Sequence, residues 1–342
     1  MTLRMPAEWE KQEAVWLAWP HNKEDWPGKF DAIKWVYCEI IKYLTRAVRV
    51  RLLVKSESER QKVRATLVSC NIDLGKVDCI VTPTDRSWLR DSAPTFVYDG
   101  KARALVNWQF NAWAKYDNWR RDAKVPDVVA KFLNLPCVQP VHKSRRVVLE
   151  GGAIDVNGKG TLLTSEECLL SKIQCRNSGF TRSDYETVFE KYLGVTHTIW
   201  LGNGIRGDDT HGHVDDLARF VNANTVVAVA ENDRKHDNYA PLRDNLKRLK
   251  AARDQNGKPL NVIELPMPRD IIFDGQLLPA SYANFLIANN LVLVPTFNDV
   301  SDRIALNTLA SAFPKHEIIP IYCGDFILGL GTIHCASQQE CG

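Results

Sequence analysis

Chemically capable side chains are scattered along the 342 residues, and the densest polar group is His211-Gly212-His213-Val214-Asp215-Asp216. Apolar Val214 and Leu217 alternate with His213 and Asp215, which predicts a strand that projects the imidazole and the carboxylate from one face. Such a pair can carry a proton to and from a bound group. The same string supplies His211, His213 and Asp215 as donors for a metal-dependent hydrolase. Against that reading, Asp216 stands where a further histidine is needed, and only His236, His316 and His334 remain downstream. Asp91 in Trp88-Leu89-Arg90-Asp91 and Glu150 in Leu149-Glu150-Gly151-Gly152 end apolar runs, where a pleated core would face a cavity; taken singly, each reads as a turn or cap residue. Cys335 follows Gly329-Leu330-Gly331-Thr332-Ile333-His334, and glycines that allow close backbone approach can present the next thiol to a substrate. His334 points the other way on an extended chain and reads as structural. Nine of the ten tryptophans lie in the first 119 residues, Trp88, Trp108 and Trp113 among them. Most read as core, and one or two beside a carboxylate pocket would suit a guanidinium through the ring face.

The elements that must position these residues read as α/β. Phe30, Ile33, Tyr37, Ile40 and Leu44 recur at helical spacing, and Val48, Val50, Leu52 and Val54 then alternate with Arg49 and Arg51. Further helices are expected near 57–68, 127–133, 242–252 and 301–313, and strands at 77–81, 95–98 and 198–201. Ser183-Asp184-Tyr185-Glu186 has a capping-box pattern for a helix that stops at Gly194. Hairpins are expected within 147–164, around Asn157-Gly158, and across 214–230. Most helices are therefore separated by two or three strands, which excludes a doubly wound parallel sheet. Asp91, Glu150, His213, Asp274 and Cys335 lie 59, 63, 61 and 61 residues apart, the spacing expected of a unit of about 60 residues used five times around a ring. Residues 1–342 read as one domain, with no linker-like segment. Gly202-Asn203-Gly204-Ile205-Arg206-Gly207 matches a dinucleotide fingerprint, but the acidic, turn-like residues after it cannot open the helix that a pyrophosphate requires.

Composition removes several classes of function. There are 44 Lys plus Arg and 41 Asp plus Glu, with no basic block, so neither nucleic acid nor an anionic membrane is an expected partner. Residues 1–10 lack an apolar signal region, and the apolar stretch 285–294 is broken by Asn289 and Asn290. No secretory signal or membrane span is expected, and the cytoplasm is the expected location. Nine cysteines without a C-x-x-C pair argue against disulfides and structural zinc. Apart from Cys335 they read as packing residues, with Cys341, near the end of the chain, the one most open to oxidation.

Met5-Pro6-Ala7-Glu8-Trp9-Glu10, Trp88-Leu89-Arg90-Asp91, Glu150-Gly151-Gly152-Ala153-Ile154-Asp155, the run from Gly207 to Asp216, and Gly331-Thr332-Ile333-His334-Cys335 together resemble the agmatine deiminases, of the guanidino-group-modifying superfamily. The resemblance implies an α/β fold, a five-bladed pseudosymmetric ββαβ propeller (pentein). It also implies Cys335 as nucleophile, His213 as general acid and base, Asp91, Glu150 and Asp215 as carboxylates around the guanidinium, and Trp88 beside the substrate. The implied reaction hydrolyses agmatine to N-carbamoylputrescine and ammonia through an amidino-cysteine, in polyamine synthesis, without metal or organic cofactor. A homo-oligomer is compatible with it. In the bacterial peptidylarginine deiminases, close relatives, two arginines that hold a carboxylate follow an Asn; here Asn111 is followed by Ala112, Trp113 and Ala114, which favours a substrate ending in an amine. Ser92-Ala93 stand where the family more often has Thr-Gly, a difference that bears on pocket shape. The alternatives are peptidylarginine or free arginine as substrate, the metal-dependent hydrolase, and guanidinium binding without turnover. EDTA is expected to leave ammonia release from agmatine intact while iodoacetamide abolishes it; the reverse pattern would reject the thiol for the metal.

Overall fold

The helix Phe30–Ala47 shows how local pattern becomes packing: Ile33, Tyr37, Ile40, Ile41 and Leu44 all lie on its buried face. Its end at Val48 feeds the strand Arg49–Val54. The structure is a computed structural model and describes residues 3–342. Among the described residues there are five sheets of three or four strands and two separate two-stranded hairpins.

Four of the five sheets repeat one plan, in which an antiparallel hairpin is followed by a helix and by a strand that returns parallel to the second hairpin strand. Thr95–Asp99 and Ala102–Val106 lead through Val125–Leu133 to Cys137–Val138. Asp155–Val156 and Thr161–Ser165 lead through Arg182–Leu193 to His197–Leu201. Ala218–Asn222 and Thr225–Ala230 lead through Tyr239–Ala251 to Asn261–Pro266. Leu286–Ala288 and Leu291–Thr296 lead through Asp302–Ala312 to Glu317–Tyr322. The helix is required because parallel neighbours cannot be joined by a tight turn. Thr225–Ala230 and Leu291–Thr296 are buried along their whole length, as strands covered on both faces must be. The fifth sheet joins distant parts of the chain: Ser337–Cys341 pairs antiparallel with Gln12–Ala18, which runs parallel to Arg49–Val54.

Just before the first strand of each of these four hairpins, and before Ser337–Cys341, the chain makes a short turn: Leu89–Ser92, Gly151–Ala153, Val214–Asp216, residues 281–284, and Ile333–Ala336. These turns carry the chemistry. Asp91, Glu150, His213 with Asp215, and Cys335 all lie on or next to one of them.

Local details differ from the sequence expectations in four places. The capping box of Arg182–Leu193 is formed by Thr181 and Asp184, two residues earlier than expected, because Thr181 can bond the Asp184 amide while Asp184 bonds back. Gly194 ends the helix in the left-handed region, as expected. Residues 147–150 are not a ladder strand; the hairpin there is confined to Asp155–Val156 and Thr161–Ser165. His213 and Asp215 do not share a strand face, since Val214–Asp216 is a 3₁₀ turn that His213 caps. Cys341 is buried within the strand Ser337–Cys341 and is not open to oxidants. All nine cysteines are unpaired. Among the described residues no helix is long and apolar enough to cross a membrane.

A buried ionic hub ties the turns together. Glu8 Oε2 accepts from Arg219 Nη2 at 2.6 Å and meets His334 Nε2 at 2.9 Å, while Oε1 accepts the Ile287 amide at 2.7 Å. Arg219 also donates to Asp155 at 2.6 Å and to the Phe285 carbonyl at 2.9 Å. Burial opposes ionisation of Glu8, yet Arg219 and His334 hold its carboxyl far below the usual range. Removing one member of such a group strands the others without compensation. Glu8→Ala is expected to lower unfolding stability by about 3–5 kcal/mol, measured from the urea midpoint; a loss below about 1 kcal/mol would place the anchor elsewhere.

Candidate functional site

Cys335 sits at the base of a cavity of about 660 Å³, lined also by Trp88, Asp91 and Trp113. Its sulfur lies 2.9 Å from Asn284 Nδ2 and 3.6 Å from Asp215 Oδ2. Burial, together with the charges of Asp215, Asp216 and Asp91, pushes the thiol well above its ordinary value. The acids around the sulfur therefore oppose negative charge on it.

His213 is wholly buried, and neither ring nitrogen has a hydrogen-bond partner. Nδ1 faces Asp91 Oδ1 at 3.8 Å and Asp215 Oδ1 at 4.0 Å, and Nε2 faces Glu150 Oε2 at 3.9 Å. Burial disfavours its charge, but Asp91, the contact with Cys168 and Glu150 outweigh it and raise the imidazole well above its usual range. An imidazole with unengaged nitrogens among carboxylates is suited to taking up and giving a proton.

Each carboxylate is tuned by a different neighbour. Glu150 accepts from Arg176 Nε at 3.1 Å, and that guanidinium overcomes burial to hold the acid down at about 2. Arg176 is itself fixed by the carbonyls of Gln174 and Thr210 at 2.9 and 2.6 Å. Asp91 accepts from the Gly152 amide at 3.0 Å and from Trp113 Nε1 at 2.9 Å. Burial, with Asp215 and Glu150 nearby, nevertheless pushes it up to about 6 against the pull of His213. Asp215 meets His334 Nδ1 at 2.7 Å, which offsets burial and lowers its carboxyl. Gly152 cannot be replaced, since a Cβ there would lie 2.5 Å from His213 Nδ1 and 2.9 Å from Asp91 Oδ1.

Trp88 packs on Phe326 with ring centroids 5.8 Å apart and lines the cavity. Trp113 reaches it by a strained route: Ala112, Trp113 and Ala114 have φ of 50°, 58° and 53°. Left-handed backbone at non-glycine residues costs on the order of 1–2 kcal/mol each. Bonds from Ala114 N to Asn111 Oδ1 at 3.0 Å and from Gln174 Nε2 to the Trp113 carbonyl at 3.1 Å hold the turn. The cavity wall adds Glu24, Asp25, Asp117, Asp209 and Asp274 against Arg86 alone. Arg86 pairs with Asp25 at 2.7 Å, and Asp209 bonds Lys115 and Tyr116. Among the described residues Glu24, Asp117 and Asp274 form no ion pair. A wall of this sign favours a cation.

Of the residues singled out from the sequence, Cys335, His213, Asp91, Glu150, Asp215 and Trp88 come together. The metal set of the alternative reading does not: His211 turns away, with Nε2 3.0 Å from Ser171 Oγ. Two other triads of donors, Glu150 with Cys168 and His213, and Asp215 with Asp216 and Cys335, each lie within 4.8 Å. The first already holds the Arg176 cation, and the second contains the thiol facing the cavity. Asp274, expected as the fourth member of the regular series, instead occupies the exposed turn between Ile271–Phe273 and Gln276–Leu278 at the cavity rim. Its place in the centre is taken by Asn284. Cys168 is likewise more than packing, because its sulfur abuts His213. Sequence reasoning misses Asn284, Cys168, Arg176 and Glu8; for Arg176 a signal exists, since a buried acid needs a buried cation.

The comparisons agree with this geometry. Residues 4–341 match the Porphyromonas-type peptidyl-arginine deiminase family, and the chain belongs to that family. A relative from Marinomonas sp. (strain MWYL1), provisionally named agmatine deiminase, is 34% identical over 98% of this chain and 94% of its own. The solved agmatine deiminase of Enterococcus faecalis superposes with a TM-score of 0.91 at 30% identity, covering 99% of this chain and 96% of that one. A cysteine-to-serine variant of the C. jejuni agmatine deiminase, solved with substrate bound, gives 0.87 at 30% identity, with the same coverage. The chain therefore has the α/β fold of these deiminases.

Trp113→Phe keeps the aromatic wall and removes the donor to Asp91. A hydrogen bond to a charged group contributes about 1.5–3 kcal/mol, so kcat/KM for the guanidino substrate is expected to fall about 10- to 100-fold, with the melting temperature little changed. An unaltered kcat/KM in a steady-state assay would show that the indole N–H is not needed.

Proposed function

We propose that this protein is an agmatine deiminase, a hydrolase that converts agmatine and water to N-carbamoylputrescine and ammonia. The observation that carries the reading is the convergence of a thiol, an unengaged imidazole and three carboxylates at the base of a cavity whose wall is acidic. Asp91, Glu150 and Asp215 suit the N–H fork of a guanidinium, which is planar and rich in donors. Trp88 and Trp113 flank the methylene chain. Glu24, Asp117 and Asp274 suit the distal ammonium, and the absence of arginine among residues 112–114 disfavours a carboxylate there.

In the proposed cycle the arriving cation offsets the negative field that disfavours charge on Cys335, and the sulfur becomes a thiolate by releasing its proton to solvent, from which it is recovered when the cycle ends. Its attack forms the C–S bond and a tetrahedral carbon. His213 gives its proton to the departing nitrogen, the C–N bond breaks, and ammonia leaves an amidino-cysteine. Water then attacks while His213 takes up its proton; the C–S bond breaks and the sulfur is restored. No metal or organic cofactor takes part. Orientation supplies much of the rate, since the carboxylates fix the reacting carbon over the sulfur. The architecture that supports this is read as one domain, a five-bladed ββαβ propeller whose five sheets each bring one turn to the axis.

Ammonia release from agmatine, free arginine and a peptidylarginine, measured side by side, tests the reading. Agmatine is expected to turn over fastest by a wide margin, and Cys335→Ala to bind agmatine without turning it over. Faster turnover of either arginine substrate would reassign the substrate. Substantial turnover by Cys335→Ala would overturn the nucleophile, and no ammonia from any substrate would leave a binding protein.

A further inference from the structure

The separate hairpin of Val141–His142 and Arg145–Arg146 turns through Lys143 and Ser144, whose φ values are 48° and 62°. Left-handed backbone at both positions is what a two-residue turn between twisted strands requires. The hairpin is basic, and its side chains are paired in two different ways. His142 Nε2 and Lys143 Nζ share the carboxylate of Asp184, each at 2.9 Å. Arg145 and Arg146 have no such partner: among the described residues neither forms an ion pair. Each is held instead by a backbone carbonyl, Arg145 Nη2 donating to Ser178 O at 2.9 Å and Arg146 Nη2 to Asn107 O at 2.8 Å. The Arg145 guanidinium also lies 5.7 Å from the centre of the Phe180 ring. Asp127 accepts from Asn107 Nδ2 at 3.2 Å and pairs with neither arginine.

Both arginines line a cavity of about 470 Å³, distinct from that of Cys335. Its wall adds Arg176 and the side-chain amides of Gln109, Asn111 and Asn177, and no acid. Arg176 is neutralised by Glu150 at 3.1 Å, which leaves the charges of Arg145 and Arg146 uncompensated. Guanidiniums fixed in place by carbonyls, with N–H groups to spare and no carboxylate to meet them, match a ligand that carries several acceptor oxygens. The sign of the wall is also opposite to that of the cavity above Cys335, so it attracts an anion and repels the cationic substrate. We propose that this pocket binds a small oxyanion, the phosphate or carboxylate group of a soluble compound, between Arg145 and Arg146. No thiol, imidazole or acid lines it, so the oxyanion is held and not transformed. The bound group sits against two supports of the other cavity. Asn111 Oδ1 caps the turn of Trp113 at the Ala114 amide, and Asn177 brackets Val148, two residues before Glu150, through Oδ1 at 2.9 Å and Nδ2 at 2.7 Å.

Isothermal titration calorimetry with inorganic phosphate and with succinate, at matched ionic strength and against a chloride control, tests the proposal. The unaltered protein is expected to bind at least one of the two saturably at a single site, and the tighter of them identifies the oxyanion as phosphate or carboxylate. The double variant Arg145→Gln, Arg146→Gln is expected to bind it about 10- to 100-fold more weakly, through the loss of charge-assisted hydrogen bonds. Arg145→Gln alone changes an exposed side chain and is expected to weaken binding by a smaller factor, so the test stands even where the double variant does not fold. Cys335→Ala is expected to bind the oxyanion as the unaltered protein does, because the thiol belongs to the other cavity. Equal affinity in the unaltered protein and the folded arginine variants would overturn the proposal, as would a chloride response of the same size or no saturable binding of either oxyanion. No guanidino compound enters the measurement, so its outcome is independent of the reaction proposed above.

Discussion

Glu8 is a carboxylate in the interior, and its charge is the constraint on which the central architecture depends. It draws together Arg219 from the third repeat, the Ile287 amide from the fourth, and His334 from the turn that carries Cys335. An isolated buried ion is expensive, and the cost is offset only when several partners arrive together with good geometry. That condition couples four segments far apart in sequence. His334 then passes the constraint on by fixing Asp215, so an acid near the start of the chain reaches the Cys335 sulfur through two intermediaries. The assembly is built so that hub and site hold each other in place.

The site itself is left electrostatically unfinished. Arg176 satisfies Glu150 and His334 satisfies Asp215, but burial and neighbouring acids work against ionisation of Asp91 and Cys335. Two ring nitrogens of His213 and one oxygen of Asp215 have no partner. Buried polar groups without partners cost stability, and their concentration at one point marks where a cationic ligand completes the bonding. The strained turn at residues 112–114 belongs to the same account: backbone energy is spent to bring an indole N–H against Asp91.

Much of the frame is legible in the sequence because it depends on local rules. Helical spacing finds Phe30–Ala47 and alternation finds Arg49–Val54, since both elements bury one regular face. Gly194 stops its helix where a left-handed residue is needed. What stays hidden is tertiary. Asp274 enters the regular series because a charged residue falls at the right spacing, yet the central place belongs to Asn284, an amide that no charge pattern singles out. Glu8 lies in a Pro-containing segment that looks like surface, and nothing local reveals Arg219 waiting for it. Ala112-Trp113-Ala114 has no glycine or asparagine to announce a left-handed turn; contacts from Asn111 and Gln174 impose it. Apolar residues alternate around His213 and Asp215 as they would in a strand, although a 3₁₀ turn places the two equally close.

The closure of the fifth sheet governs the timing of synthesis. Gln12–Ala18 is made early, but its antiparallel partner Ser337–Cys341 leaves the ribosome long afterwards, together with Cys335. Until then one edge of the first-made sheet lacks its neighbour, and Glu8 lacks His334. The acids and the imidazole can gather during translation while the sulfur cannot, so a nascent chain that has not yet reached this strand is chemically silent. On the proposed mechanism, turnover is thereby confined to polypeptides in which the fifth sheet has formed.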